Sequence, residues 1–422
     1  MSVGHKELIA PNPLSGKHPP MNPRLLAPAR LLLALAFTAA AHSATWERHI
    51  IDDSSRGADG TRLADVNGDG LPDIATGWEQ GGVTRVYLNP GPDKSKSRWP
   101  AVTVGRTPNV EDAVFVDLDN DGAVDVVSSC EGKTRTMFVH WAPKEKSDYL
   151  NPKKWTTAPL PASQGKMMWM CALPLDIDGR NGIDIVGSAK GGGAEIGWFE
   201  SPKNPRDLAA WKYHTLRKSG WIMSLVKADM DGDGDPDVVA TDRKGKASEA
   251  LWLENPGRKG QLRQPWRTHH IGGRGKEMMF LELFDLDGDG LQDVLSSVRP
   301  KVTAFFKRLD ASGRKWRPHY QSLPENAGHS KCVSAGDINL DGQPDLVFSC
   351  ERAKPPLSGV MWLEYDRAPT ESTWRAHDIS GPTGVKHDLI PLIDLDGDGD
   401  LDAITCEEST NLGVIWYENP TN

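Results

Sequence analysis

The sequence lacks the short motifs that would assign it a familiar chemistry. It contains no G-x-S-x-G nucleophile motif, no phosphate-binding P-loop and no zincin motif. It also has no basic tract, and its 58 acidic residues outnumber 49 basic ones, which gives a formal net charge of −9. A protein that neutralises nucleic-acid phosphates needs the opposite balance, so the composition argues against a nucleic-acid partner.

Long hydrophobic runs are also scarce. Residues 31–41 (LLLALAFTAAA) follow Arg24 and Arg30 and precede small residues, which is the order typical of a secretory signal. This run is too short to span a bilayer, and no later segment approaches eighteen uninterrupted apolar residues. We therefore predict an N-terminal extension and signal peptide at 1–44, a folded region at 45–422, a secreted or periplasmic location and no membrane span. A buried N-terminal helix is the alternative, which a proline and missing capping residues disfavour.

What the sequence has instead is an acidic nine-residue motif in seven copies. The first copy is "DVNGDGLPD" at 65–73, and the seven copies begin at Asp65, Asp117, Asp176, Asp229, Asp285, Asp337 and Asp394. A tryptophan precedes each copy and opens the pattern W-x-x-H in five units, whereas an aromatic strand and turn such as "LWLENPG" (251–257) follow it. Each unit therefore contains four short runs rich in β-branched and aromatic residues, which predict β-strands.

Radially repeated four-stranded units of about fifty residues are typical of a β-propeller. No amphipathic helical pattern competes with the strands. The segment at 45–51 (TWERHII) precedes the first acidic motif, and the chain ends on a third-strand segment, "GVIWYENP". We therefore predict an all-β, seven-bladed propeller of four-stranded antiparallel blades, in which 45–51 pairs with 413–418 and closes the ring.

Coordination chemistry explains the acidic motif, whose pattern is D-x-[DN]-x-[DN]-G-x-x-D. The side chains at positions 1, 3, 5 and 9 converge as the backbone curls, and glycine at position 6 permits the positive φ of that curl. Clustered carboxylates need a hard cation, and oxygen ligands in a flexible loop suit Ca²⁺. The loop is not an EF-hand, because it lacks a glutamate at position 12 and flanking helices. An ordinary Asp/Gly turn is the alternative reading of any single copy.

We predict about six structural calcium sites, in loops that join the first and second strands of their blades. The predicted ligands are Asp65, Asn67, Asp69 and Asp73; Asp117, Asp119, Asp121 and Asp125; Asp229, Asp231, Asp233 and Asp237; Asp285, Asp287, Asp289 and Asp293; Asp337, Asn339, Asp341 and Asp345; and Asp394, Asp396, Asp398 and Asp402. The third copy, "DIDGRNGID", is not counted. Its Arg180 stands at position 5, so a guanidinium is expected to replace the ion and pair with Asp176, Asp178 and Asp184.

With these residues identified, the sequence resembles the FG-GAP or VCBS repeats of secreted bacterial proteins and of the integrin α-subunit propeller. The resemblance covers roughly residues 45–422 and rests on the residues of the acidic motifs named above. It implies that the calcium loops lie on one face of the propeller. It also implies that ligand recognition falls on the opposite face, built by loops between strands 2 and 3 and between strands 4 and 1.

That opposite face, which we call the mouth, has a charged position in every unit. Six residues after the last Asp of the motifs stand Glu79, Glu131, Lys190, Arg243, Arg299, Glu351 and Glu408, and six before the first stand Asp59, Glu111, Met170, Met223, Met279, Lys331 and Asp388. Acids fall in blades 6, 7, 1 and 2, and bases in blades 3 to 5. This polarity predicts an exposed rim that grips a polar ligand such as an acidic sugar or a peptide; a merely solvated rim is the alternative. The predicted ligand-binding residues are Glu79, Glu131, Arg243, Arg299, Glu351, Glu408 and Asp388.

Two function classes fit these observations. The first, which we favour, is an extracellular binding module for a carbohydrate or protein ligand. The second is a carbohydrate-active lyase or dehydratase, for which His329, His387 and Glu351 are the candidate catalytic residues if they converge within hydrogen-bond reach. Trp78, Trp169 and Trp221 break the tryptophan repeat near the mouth and are candidates for stacking on sugar rings.

The five cysteines match neither a metal nor a redox motif; they are Cys130, Cys171, Cys332, Cys350 and Cys406. Cys332 falls near the start of a first strand and Cys350 near the end of the second strand of the same unit. An exported location would permit a disulfide between these two antiparallel neighbours, and buried free thiols are the alternative.

Overall fold

The computed structural model describes residues 45–370 and 373–422. In these residues 28 strands form seven four-stranded antiparallel sheets, and four single-turn 3-10 helices lie in the connections at Pro92–Lys94, Lys146–Asp148, Pro161–Ser163 and Leu208–Ala210. The predicted all-β, seven-bladed propeller is confirmed. The predicted extension and signal peptide at 1–44 lie outside the described residues and stay a prediction.

The blades are numbered by the acidic motif that each contains, and the strands are numbered in chain order. Blade 1 holds β2 (Ala58–Ala64), β3 (Asp73–Trp78), β4 (Val83–Tyr87) and β5 (Ala101–Arg106); blade 2 holds β6 (Val110–Val116), β7 (Asp125–Cys130), β8 (Thr136–Trp141) and β9 (Thr156–Pro159). Blade 3 holds β10 (Met168–Leu175), β11 (Asp184–Lys190), β12 (Glu195–Glu200) and β13 (Lys212–Lys218); blade 4 holds β14 (Ile222–Ala228), β15 (Asp237–Asp242), β16 (Glu249–Glu254) and β17 (Arg267–Gly272). Blade 5 holds β18 (Met278–Phe284), β19 (Asp293–Val298), β20 (Val302–Arg308) and β21 (Trp316–Ser322); blade 6 holds β22 (His329–Gly336), β23 (Asp345–Glu351), β24 (Val360–Tyr365) and β25 (Trp374–Asp378). Blade 7 holds β26 (Leu392–Ile393), β27 (Asp402–Glu407), β28 (Gly413–Glu418) and, as its fourth strand, β1 (Glu47–Asp52).

Blade 7 combines the two ends of the described chain. Its strand order is β1-β28-β27-β26, and β1 pairs antiparallel with β28, so that Glu47 lies opposite Glu418 and Ile50 opposite Ile415. The predicted pairing of 45–51 with 413–418 is therefore confirmed. Because of this closure, β28, the third strand of blade 7, has a fourth strand to pair with, as in the other blades.

The W-x-x-H pattern places a histidine of the fourth strand over an aromatic ring of the third. The stacked pairs include His269 on Trp252 and His377 on Trp362, each with ring centroids 4.1 Å apart. Each of these histidines also bonds through Nε2 to the glutamate of the E-N-P turn or its equivalent, which is Glu254 or Glu364. The repeat therefore ties together the third and fourth strands of a blade.

The last aspartate of each motif is a buried link within its blade. In blade 1, Asp73 begins β3 with no exposed surface; one carboxylate oxygen accepts the Val66 N–H at 2.9 Å, and the other accepts the Asn89 N–H at 2.8 Å. The same pair of bonds occurs at Asp125, Asp184, Asp237, Asp293 and Asp402. In six of the seven motifs, position 9 therefore joins the acidic loop to the end of the third strand, a role that the motif alone did not indicate.

The structure corrects the disulfide expectation. All five cysteines are free and buried. Cys350 lies opposite Ser330 in the β22–β23 ladder, and Cys332 lies opposite Ser349, because the register shifts between Ser330 and Cys332. Neither register places Cys332 directly opposite Cys350, so the two thiols are not cross-strand partners. Among the described residues, no helix is long and apolar enough to cross a membrane.

Candidate functional site

A cavity of about 280 Å³ lies on the propeller axis and is lined by residues of all seven blades. Its walls come from the starts of the first strands and the ends of the second strands, whereas the acidic motifs connect the opposite ends of those strands. The cavity is therefore at the mouth, on the face away from the acidic loops. Its acidic lining residues are Asp59, Glu79, Glu111, Asp112, Glu131, Glu351, Asp388 and Glu408, and its basic ones are Arg62, Lys190, Arg243, Lys331 and Lys386.

The structure brings most of the predicted ligand-binding residues together. Six of them line the cavity, namely Glu79, Glu131, Arg243, Glu351, Asp388 and Glu408. The seventh, Arg299, lies beside them and forms ion pairs with Glu351 and, at 3.2 Å, with Glu277. The expectation of an exposed rim is wrong, because Arg243 is only 8% exposed and the Arg299 side chain only 10%.

The charges of the cavity alternate more than the predicted acidic and basic arcs suggested. Most bases pair with an acid of a neighbouring blade: Lys331 with Asp388 at 2.8 Å, Arg62 with Asp112 at 2.9 Å, and Lys190 with Glu131 and, at 3.2 Å, with Glu111. Lys386 and Glu408 pair within blade 7. Arg62 and Asp112 belong to no charge pattern that recurs among the blades, so the sequence offered no signal for them.

Negative charge is nevertheless in excess between blades 7, 1 and 2. Carboxylate oxygens of Asp59, Glu79 and Glu408 lie within 4.8 Å of one another, and so do those of Glu79, Glu111 and Glu131. Burial and the neighbouring carboxylates raise the pKa of Glu79, and burial raises that of Glu111 to about 8 although Lys190 opposes the shift. The crowding therefore makes this part of the cavity a place where an additional positive charge would be stabilised.

Asp59 and Asp388 divide one negative charge between them. Burial and the nearby Asp388 carboxylate raise the pKa of Asp59 well above its usual range. Burial opposes ionisation of Asp388 too, but Lys331 and the hydrogen bond from Asp59 hold its pKa at about 2. The negative charge of this pair therefore lies on Asp388, beside Lys331, and Asp59 holds its proton more firmly.

Of the three tryptophans considered for sugar stacking, only Trp221 lines the cavity. Its ring is contacted by Lys190, Arg243 and Lys244, whose charged groups lie 4.8, 4.5 and 4.7 Å from the ring centroid. Its indole N–H is buried and has no hydrogen-bond partner among the described residues. The interpretation of Trp78 and Trp169 is wrong, because both are fully buried in the packing between blades.

The three candidate catalytic residues do not converge. His387 is fully buried, its Nε2 lies 3.3 Å from the Tyr417 hydroxyl, and burial lowers its pKa to about 4. His329 lies opposite Glu351 in the β22–β23 ladder, but Glu351 pairs with Arg299. Within the described residues, no hydrogen bond joins these three side chains, and neither histidine lines the cavity. Hence the geometry required of an acid and base acting on one substrate is missing here.

The acidic loops adopt the curled conformation that the motif predicts. In the first loop, Asp65 accepts backbone N–H bonds from Gly68, Asp69 and Gly70 at 2.6, 3.1 and 2.9 Å. Gly70 at position 6 has φ of 86°, and the equivalent glycines of the other five predicted calcium loops are also in the positive-φ region. In the third loop, Asn181 takes this position with φ of 62°. Asparagine tolerates that conformation, so all seven loops share one fold.

The residues of these loops fit a hard cation. At position 3, one carboxylate oxygen of Asp119, Asp231, Asp287 and Asp396 is buried without a hydrogen-bond partner among the described residues. Four basic side chains compensate part of the charge: Arg206 contacts Asp119, Arg314 contacts Asp231, Lys307 contacts Asp287 and Lys96 contacts Asp396. An unpartnered buried carboxylate oxygen is costly, so these four oxygens are the donor atoms in the loops that would suit a hard cation.

In the third loop, the Arg180 guanidinium does not take the place of an ion as predicted. The Arg180 backbone N–H donates to Asp178 at 2.9 Å, but in the part of the chain that the structure describes its side chain forms no ion pair with Asp176, Asp178 or Asp184. Carboxylate oxygens of these three aspartates lie within 4.8 Å of one another, as do those of Asp117, Asp119 and Asp125 in the second loop. Arg180 is therefore not the counter-charge of this loop.

Comparisons with known proteins agree with the observed architecture. Residues 46–128 and 285–348 match the family model described as FG-GAP-like repeat. No curated protein is significantly similar in sequence to this chain. Among solved structures, YCF48 from Cyanidioschyzon merolae matches with a TM-score of 0.53 and 11% identity, over 90% of this chain and 100% of that chain. BBS1N, crystallised in complex with ARL6DN, matches with a TM-score of 0.50 and 11% identity, over 90% of this chain and 98% of that chain. At such identities, these likenesses concern the fold alone.

Proposed function

This chain is a seven-bladed β-propeller with FG-GAP-like repeats, and from that premise we propose that it is a secreted interaction module that binds a polar ligand in the axial cavity. Calcium in the acidic loops reinforces the scaffold, and a carbohydrate or an exposed part of a protein supplies the ligand. The observation that carries this proposal is the cavity itself, where charged residues from equivalent blade positions meet at the mouth.

The composition of the cavity supports recognition of a small polar group. Its volume of about 280 Å³ is just below the range of about 300–1,000 Å³ for ligand pockets, which suits a small group. Acidic and basic side chains alternate on one side, and Met170, Met223 and Phe280 provide an apolar wall on the other. An apolar wall with a few convergent polar groups is the usual arrangement of a binding pocket, because apolar contact gives affinity and the polar groups fix orientation.

Calcium has a structural role in this proposal. The side chains at positions 1, 3 and 5 of six loops would hold the ion, and position 9 completes the oxygen-rich surroundings while it anchors the loop to the third strand. A divalent ion supplies positive charge that offsets carboxylate repulsion and thereby favours the folded loop. The acidic loops are at the far ends of the strands from the cavity, so their ions stabilise the site without touching the ligand.

The lyase or dehydratase alternative has no geometric support. A general base must come within hydrogen-bond reach of its substrate, and His387 is enclosed in blade 7 with its ring against Tyr417. The binding function requires only the cavity and its charges. For this reason we propose the interaction module alone.

The test uses the full chain on glycan and peptide arrays, followed by calorimetric titration of the hits. A Trp221→Ala variant removes one wall of the cavity, and a Tyr320→Ala variant is the matched control, because Tyr320 is 43% exposed on an outer strand. We expect Trp221→Ala to weaken binding at least about tenfold and Tyr320→Ala to leave it unchanged. Hits that bind both variants as tightly as the native chain would place the ligand elsewhere and overturn the proposal.

A further inference from the structure

We propose that the axial cavity recognises a primary ammonium group of its ligand, and that the carboxylate of Glu79 receives it. This inference rests on the proposed function and names the chemistry of the ligand. The ammonium belongs to an amino sugar or to a lysine side chain. Both sources carry the primary ammonium group that the site would bind.

The pairing of charges in the cavity singles out Glu79. Eight acidic and five basic residues line the cavity, so acids are in excess. Lys331, Arg62 and Lys386 each pair with one acid, and Lys190 with two. Among the described residues, no basic side chain pairs with Glu79, whose carboxylate accepts a hydrogen bond from the amide of Gln80 at 3.0 Å. Glu79 is therefore the half-buried acid that lacks a counter-charge.

The position of Glu79 suits an ammonium better than a divalent metal. It belongs to both carboxylate groups, one with Asp59 and Glu408 and the other with Glu111 and Glu131. Lys386 contacts the first group and Lys190 the second, so two ammonium groups of the chain already flank this acid. An ammonium group of the ligand at Glu79 would add one further positive charge to this arrangement, in which carboxylates and single positive charges alternate. A divalent ion would instead place two positive charges between two lysines, which costs Coulomb energy.

The opposite side of the cavity indicates what else the ligand carries. The indole N–H of Trp221 is buried without a partner among the described residues, so it can donate to a hydroxyl or carbonyl oxygen of the ligand. Met170, Met223 and Phe280 offer apolar contact for the carbon skeleton. The site therefore fits a ligand that combines an ammonium group, an oxygen acceptor and a short hydrocarbon part, and it disfavours a purely anionic one.

Calorimetric titration of the full chain in calcium buffer, with paired probes, tests this inference. Glucosamine and N-acetylglucosamine differ at the amine, and so do Nα-acetyl-lysine methylamide and its Nε-acetylated form. We expect each ammonium probe that fits to bind at least about tenfold more tightly than its acetylated partner, because a charge-assisted hydrogen bond is lost on acetylation. The first pair reports an amino sugar as the source and the second pair reports a lysine side chain.

Two matched variants assign the effect to Glu79. Glu79→Gln keeps the shape, relieves carboxylate repulsion and should abolish the preference for ammonium while the chain stays folded. Glu145→Gln, at an exposed position beyond the third strand of blade 2, should preserve that preference. The melting temperature of both variants should match or exceed that of the native chain. A preference that survives Glu79→Gln would overturn the inference.

Other outcomes separate this inference from the function on which it rests. Array hits that depend on Trp221 but bind Glu79→Gln unchanged would leave the interaction module standing and remove the ammonium. The number of divalent ions bound by the native chain and by Glu79→Gln can also be compared. If the native chain binds one ion more, and this ion displaces the ammonium probes, the cavity is a metal site and the inference is overturned. If no probe and no array hit binds, the proposed function itself fails.

Discussion

The buried aspartate at position 9 should stabilise its blade whether or not calcium is present. In blade 4, Asp237 is 1% exposed and accepts the Met230 and Asn255 N–H groups at 2.8 and 2.7 Å. Asp237→Asn replaces one accepting oxygen with an NH₂ group that faces a backbone donor. Leaving a buried donor without its charged acceptor costs about 2–3 kcal/mol. For a cooperative unit of this size, that loss lowers the melting temperature by about 3–4 °C.

The matched control is a second substitution in the same loop. Asp231 at position 3 has a buried oxygen without a hydrogen-bond partner among the described residues, and burial and Asp233 raise its pKa. Asp231→Asn should therefore leave stability unchanged or higher in EDTA, where it relieves repulsion, and lower it in calcium. Asp237→Asn should lower the melting temperature in both buffers.

Calorimetric or fluorescence melts at pH 8, with and without EDTA, provide the measurement. Burial raises the pKa of Asp237 to about 7, so at pH 8 its carboxylate is mostly ionised and accepts both bonds. A loss of stability for Asp237→Asn that appears only in calcium would refute the separate structural role of position 9. It would show that this aspartate acts through the ion in the same way as Asp231.

Three further outcomes test other parts of the structure. EDTA should lower the melting temperature of the full chain and added calcium should restore it; an unchanged value in EDTA would contradict calcium as a structural ion. Glu200→Gln should destabilise the chain at pH 7 and much less near pH 2, measured by urea midpoints. The hydrogen bond from Arg263 holds the Glu200 pKa at about 2, with help from His214 and against the effect of burial. The stabilisation of the fold by ionised Glu200 is therefore present above pH 4.5 and is lost as pH falls toward 2. Equal losses of stability at both pH values would contradict this reasoning. Arg299→Glu should cost at least about 3 kcal/mol in chemical denaturation, because it adds a carboxylate beside Glu277 and Glu351, and a stable variant would show that this arginine is not buried between them.

The sequence predicted the blades and the ring closure because the relevant signals recur in register. Each acidic motif stands between two strands, and histidines such as His269 recur with the tryptophans they stack on, so a repeat of the pattern is a repeat of the structure. The same register located the cavity: residues six positions after a motif, such as Glu79, end the second strand of their blades or directly follow it. The place of these residues in their blades depends only on the number of residues between them and the motif, and that number can be counted in the sequence.

The burial and pairing of those residues could not be predicted in the same way. Arg299 pairs with Glu351 of the next blade, and Lys190 pairs with Glu131 of the preceding one, so their environment depends on distances between blades. Such distances depend on the packing of large side chains, among them the buried Trp169. His387 was misplaced for a related reason, since the chain before β26 folds back against Tyr417 instead of remaining a surface loop.

The pairing of β1 with β28 has a mechanical consequence. Because Glu47 lies opposite Glu418, the chain before β1 and the chain after β28 leave the pair at the same end. A load applied between those two chain segments would peel the strands apart one hydrogen bond at a time, instead of shearing all the bonds together. Blade 7 would then open before the other blades, because such a load acts directly on the β1–β28 pair.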